Sequence, residues 1–331
     1  MLSQIAGAMS LDEVLRRPEP QQRDIISDTA GGWFLAEDFK AIEDLADSAR
    51  AKKLRTSSGI WVSGLVYNGI EGISQFRKVK SDEGYDKLEA IARRWIKAYP
   101  KSPTATIAYA AILQNRAWLY RGGGGYASTV SEQQFAAFHK QIEKAKKYEL
   151  AHRAAASADP NWAMYFLETL TFEEGNRQEE FERTFAEAVR LFPDYYPVYF
   201  AAADYYLPKW HGDAGEVEHF ARQVMTSRGG RIGKMLYARI YWYASQNQFK
   251  GGIFLVSLAR WNDMREGLET IVSDYPDQWN INHYAKFACL VIDQETTRKA
   301  FDMMKGEPIS KAWSSTKQYE ECRHFSGRIS T

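Results

Sequence analysis

Cysteine is nearly absent from the chain: only Cys289 and Cys322 occur, so at most one disulfide can form and a disulfide-stapled framework is excluded. Cys289 lies in the apolar run Phe287-Ala288-Cys289-Leu290 and reads as a small buried hydrophobe rather than a nucleophile. An excess of positive charge is also missing. The 43 Lys and Arg against 42 Asp and Glu leave a formal net charge of +1, which points away from nucleic acid or a membrane as partner. No apolar run approaches the roughly 20 residues of a membrane-spanning helix; the most apolar stretch covers only residues 253–259. The first ten residues carry no basic segment and too short an apolar stretch for a secretory signal. These absences together lead to the expectation of a cytoplasmic protein with reduced thiols. Gly-x-Ser-x-Gly, His-Glu-x-x-His and Cys-x-x-Cys are missing as well, so hydrolase and zinc chemistry have no local signal. The expectation is a protein without catalytic activity, cofactor or metal.

Disorder is excluded, because 45% of the 331 residues are apolar and 26% charged, whereas disordered chains combine low hydrophobicity with high net charge. A chain of this size buries about three quarters of its unfolded surface and needs no staples. What it has in abundance is aromatic side chains: 10 Trp, 19 Tyr and 17 Phe. It also has a helical apolar period almost throughout. Ser10 and Glu13 form a capping-box start for a short helix over 11–17. Phe39, Ile42, Leu45, Ala46 and Ala49 recur three and four apart. A Thr-Ser-Ser-Gly turn at 56–59 leads into a helix with Trp61, Leu65 and Ile73, and another helix is predicted over 82–99. Pro100 and Pro103 bracket a turn, the partner helix follows to Tyr120, and a long stretch over 131–158 carries Phe135, Phe138, Ile142, Ala145 and Tyr148 on one stripe. An irregular connector over 308–315 precedes a tail helix predicted at 317–326. No segment shows sustained alternation, so the chain is read as all-α, with no sheet.

The helices share a punctuation: an aromatic or small residue, a proline, one or two polar residues, then an aromatic-rich helix. The copies are Ala98-Tyr-Pro100-Lys-Ser, Ala158-Asp-Pro160-Asn-Trp, Leu191-Phe-Pro193-Asp-Tyr and Asp274-Tyr-Pro276-Asp-Gln-Trp279. Proline lacks an N–H and disfavours helix in the residue before it, so it closes one helix and opens the next. Pro160 and Pro193 stand 33 residues apart, close to the roughly 34-residue tetratricopeptide unit. The chain thus resembles tetratricopeptide-repeat proteins. More closely, it is similar to a bacterial tetratricopeptide-like family of unknown function, through Leu11-Asp-Glu-Val-Leu-Arg16, Ala117-Trp-Leu-Tyr-Arg-Gly122, Gly125-Tyr-Ala-Ser-Thr-Val-Ser131, Tyr205-Tyr-Leu-Pro-Lys-Trp-His-Gly212 and Trp279-Asn-Ile-Asn282. The resemblance implies one α-solenoid-like domain over 1–331, with about six or seven antiparallel helical pairs that bury their faces only against neighbours. It implies no activity. Glu168, eight residues after Pro160, departs from the repeat, which wants a small residue there.

Three constellations could carry chemistry. Glu149-x-x-His152, Glu216-x-x-His219 and Glu321-x-x-His324 place a carboxylate and an imidazole on one helix face, the pattern from which di-iron sites in helical bundles are built. The simpler reading makes them exposed pairs on solvated faces. The glycine runs Arg121-Gly-Gly-Gly-Gly-Tyr126 and Gly229-Gly-Arg-Ile-Gly-Lys234 suggest phosphate cradles, but the first follows no strand and the second falls one residue short of a Walker loop. Aromatics are the third lead. Between Tyr195 and Tyr206 they occupy several helical faces, so some are expected to point away from the core and offer contact area at low entropic cost.

The favoured function is a non-catalytic scaffold or adaptor gripping a protein or peptide in a concave groove. In tetratricopeptide arrays the helix after each proline lines that groove. By that analogy the candidate partner-binding residues are Asn115, Arg116, Trp118, Arg121, Tyr206, Trp210, His211, Trp279, Asn280 and Asn282. Alternatives are a toxin-neutralising immunity protein and a metal-dependent oxidase of di-iron type.

Overall fold

The structure is a computed structural model and describes residues 9–75, 78–122, 127–175 and 177–327. Among these residues the regular structure is helical, with an isolated β-bridge between Arg55 and Trp61 and no strand. The all-α expectation is met. Backbone contacts divide the chain into two compact units. The first takes residues 1–17, 21–56 and 60–202, and the second takes 18–20, 57–59 and 203–331.

In the first unit, helices that follow one another in sequence pack on one another: Asp82–Ala98 on Pro103–Arg121, Pro103–Arg121 on Glu132–Ala151, and Pro160–Phe172 on Gln178–Leu191. Their starts follow from local chemistry. Ser81 accepts the N–H of Gly84, Ser102 that of Ala105, and Asp159 that of Asn161, satisfying donors that a helix start leaves unpaired. Pro103 and Pro160 occupy first-turn positions, where a missing N–H costs nothing. Ser10 and Glu13 form the expected capping box, on a helix shortened to Leu11–Val14. The predicted 131–158 stretch breaks at His152 into Glu132–Ala151 and Arg153–Ala156. The core here is built on Trp95, stacked on Phe39 at 5.6 Å and tilted against Phe34 at 6.2 Å. Its indole N–H donates to Glu43 at 2.7 Å. Gly69 is required by a close helix crossing: a Cβ there would lie 2.1 Å from the carbonyl oxygen of Ser27.

The second unit contains the helices Ala214–Arg228, Gly230–Ala244, Trp261–Asp274, Gln278–Leu290, Gln294–Met303 and Thr316–Phe325. The tail helix falls within a residue of its expected place. Cys289 and Cys322 form a disulfide, with Cα atoms 5.7 Å apart, that ties Gln278–Leu290 to Thr316–Phe325. The expectation of reduced thiols is therefore corrected: the partner of Cys289 is set by packing of the tail helix, which its local apolar run does not reveal. The bond spans 33 residues, and closing a loop of that size stabilises by about 4 kcal/mol through the unfolded chain. Cys322→Ser should lower the stability of the second unit by about that amount in urea titrations. Reduction should reproduce the loss, and an unchanged midpoint would refute it. No helix of the described residues is long and apolar enough to cross a membrane.

Candidate functional site

The ten residues singled out by sequence fall on three segments. In the first unit, Asn115, Arg116, Trp118 and Arg121 share the helix Pro103–Arg121. The Asn115 amide donates to Ser74 Oγ at 2.9 Å, while its backbone carbonyl accepts the Tyr85 hydroxyl at 2.9 Å. Arg116 pairs with Asp82, Asp86 and Glu89 at 2.5–2.8 Å. Trp118 packs edge-on against Phe138 and Phe172, with the Arg121 guanidinium 5.2 Å above its ring. These four side chains hold the helix in place.

In the second unit, Trp210 donates to Asp204 at 2.9 Å, exposed His211 lies 4.5 Å from the ring of Tyr205, and Tyr206 stacks on Phe220 at 5.1 Å. Trp279 packs against His283 at 4.5 Å. Asn280 and Asn282 are each 1% exposed. Asn280 donates to the carbonyls of Ser58 and Tyr275, whereas Asn282 donates to Gln278 and accepts from the Trp313 indole at 2.9 Å. The expectation that these two amides face a peptide is corrected. Both are consumed inside the fold, because a buried amide must find internal partners. Of the aromatic cluster, Tyr195, Tyr196, Tyr199 and Tyr205 are buried, whereas Phe200, Tyr206 and Trp210 are half-buried.

Glu149 is buried against Gln114, while His152 hydrogen-bonds the carbonyl of Tyr148. Glu216, His219, Glu321 and His324 are exposed. Among the described residues no group of three or more His, Cys, Asp or Glu side chains is disposed to hold a metal ion. Of the first glycine run, residues 123–126 lie outside the described residues. The second lines an open pocket of about 660 Å³ with Arg231 and Lys234. Those cations are already matched, Arg231 by Asp274 at 2.7 Å and Lys234 by Asp263 and Glu266, so the pocket offers a phosphate no unpaired charge.

The least covered surface is elsewhere. Helix Gly230–Ala244 runs into a π-turn, Ser245–Phe249, and then a single turn, Ile253–Val256. Phe249 and Ile253 point inward and are buried, whereas Leu255 is 88% exposed, Val256 63% and Leu258 55%. The base of this segment is held firmly. Phe254 packs edge-on against Trp261 at 5.7 Å, Trp261 donates to Asp293 at 2.9 Å, and the N–H of Arg260 donates to the Tyr237 hydroxyl at 3.0 Å. Beside Asp293 stands Ile292, 77% exposed at φ +61°. The Asp293 N–H bonds the Ala288 carbonyl and the Ile292 N–H bonds that of Cys289. This is the helix ending in which the left-handed residue is normally glycine. A β-branched residue there costs on the order of 1–2 kcal/mol, and exposure gives no packing in return. Sequence reasoning marks 253–259 as the most apolar stretch of the chain but weighs it only as a membrane span. Its lack of any helical period after Gly251-Gly252 is the signal that could have found it.

Comparison with family models, with curated proteins and with solved structures finds no match for this chain.

Proposed function

We propose that the protein is a non-catalytic scaffold of tetratricopeptide-like helical hairpins that acts by docking on another surface through its second unit. The observation that carries this reading is the run of exposed apolar side chains Leu255, Val256 and Leu258 on a base locked by hydrogen bonds. Isolated exposed hydrophobes are ordinary, but contiguous ones mark contact surfaces. A pre-formed projection loses little freedom on binding. The hairpin reading is supported by the sequential packing of helices opened by Pro103 and Pro160. The Cys289–Cys322 bond supports an oxidising compartment over the cytoplasmic one expected from sequence, because cytosolic thiols are kept reduced.

The test compares the parent chain with a Leu255→Ser/Val256→Ser variant in cross-linking capture from whole cells, membranes included. Burying one such side chain is worth roughly 1.5–3 kcal/mol, so the pair should weaken capture at least a hundredfold with the melting temperature unchanged. Equal capture by both proteins would refute the reading.

A further inference from the structure

We infer that the exposed segment of the second unit is a membrane-docking element whose occupant is an anionic phospholipid surface, an assignment that rests on the docking reading above. Two observations carry it. The first is the direction of the apolar side chains. On a single helical turn successive residues point about 100° apart, so Leu255 and Val256, both mostly exposed, leave the fold on different sides. Leu258 follows beyond the turn. A protein pocket covers one side of such a projection; a fluid hydrocarbon phase covers all of it, and the locked base sets how far the segment can enter.

The second observation is charge. From Ser245 to Asn262 there is no acidic residue, and the ionisable side chains are Lys250 and Arg260, one on each flank of the apolar run. Lys250 is exposed, and its ammonium hydrogen-bonds only the neutral carbonyl of Gln246, at 3.4 Å. The Arg260 side chain is 66% exposed, with Glu218 at 3.7 Å. Cations on both shoulders of an apolar tip meet phosphate headgroups as the tip enters the acyl region, the arrangement of interfacial anchors. The overall charge of +1 conceals this local asymmetry.

The experiment is co-sedimentation of the full chain with vesicles of phosphatidylcholine alone and of phosphatidylcholine mixed with phosphatidylglycerol. The parent should bind the mixed vesicles, more weakly at high salt and more weakly still without phosphatidylglycerol. Leu255→Ser/Val256→Ser should reduce binding to the mixed vesicles at least tenfold. Lys250→Gln/Arg260→Gln should abolish the preference for phosphatidylglycerol with an unchanged melting temperature. Failure of the parent to bind either vesicle, or equal binding by the serine variant, overturns the lipid assignment. If the parent ignores vesicles while the serine variant still loses its captured partner, the occupant is a protein: the docking reading then stands and this one falls. Loss of neither overturns both.

Discussion

Asp159→Ala should destabilise the first unit by about 4 kcal/mol, seen as a large drop in urea midpoint followed by circular dichroism. Asp159 is fully buried and serves four donors at once. One carboxylate oxygen accepts the backbone N–H of Asn161 at 2.9 Å and its amide at 2.7 Å; the other accepts the Tyr67 hydroxyl at 2.8 Å and the Arg50 guanidinium. Those donors come from Phe39–Ala51, Val62–Ser74 and Pro160–Phe172, so one side chain joins three helices. Burial works against the charge on Arg50. Asp159, Tyr67 and Asp47 together more than offset it and hold the guanidinium pKa above its ordinary value. Removing Asp159 leaves Arg50 with the exposed Asp47 as its carboxylate partner, so the lower end of the roughly 3–5 kcal/mol for breaking a buried pair applies, with about 1 kcal/mol from the lost helix cap. Asp159→Asn keeps a capping oxygen and isolates the ionic part, so it should recover only the smaller share. Arg50→Ala/Asp159→Ala should cost clearly less than the sum of the single changes, since each single change already removes the interaction between the two. An Asp159→Ala protein within 1 kcal/mol of the parent would show that the pair is hydrated and structurally idle.

Asp159 also shows what could be read from the sequence. The caps at Ser10, Ser81, Ser102, Ser131 and Asp159 act over two or three residues, so helix starts are legible without knowing the fold. Helix Glu19–Leu35 is not legible in this way. Its inward positions include Glu19 and Gln22, both buried, and it contains Gly31-Gly32, so no apolar stripe marks it. Glu19 is tolerated because Ser57 and Ser58 donate to its carboxylate, and those donors stand almost forty residues away. The candidate site fails for the same reason of range. Asparagine within a helix looks like a ligand contact only while its partners are unknown. Those of Asn282 include the Trp313 indole, 31 residues on, and those of Asn280 include the Ser58 carbonyl, 222 residues back. Leu255 inverts the problem: an apolar residue is assigned to the interior by default, and only the packing reveals that Ile253 and Phe249 take the inward places.

Glu149→Gln should stabilise the first unit, and by an amount that grows with pH. Glu149 lies on Glu132–Ala151, almost wholly buried, with one oxygen accepting the Gln114 amide at 3.1 Å and the other without a hydrogen-bond partner. Gln114 shares that amide with the Tyr165 carbonyl and Thr169. Burial pushes the Glu149 carboxyl up to about 8, against the pull of hydrogen bonds from Thr169 and Gln114 and the charge of Lys146. The folded value thus lies above the unfolded one of 4.5. A group displaced in this direction gives its full stabilisation below the unfolded pKa and loses it progressively as pH rises to the folded pKa. The parent should therefore weaken between about pH 4.5 and 8 through this residue. The loss amounts to roughly 4–5 kcal/mol, since each tenfold change in proton affinity is worth about 1.4 kcal/mol. Glutamine keeps the acceptor for Gln114, brings a donor to the unsatisfied side and does not titrate. The gap between variant and parent should be small near pH 4, widen through neutrality and level off above pH 8. Urea midpoints of the two proteins at about pH 5, 7 and 9 decide the matter. A gap that stays constant across that range would mean that Glu149 is ionised in the folded protein throughout, and that its burial carries no energetic consequence.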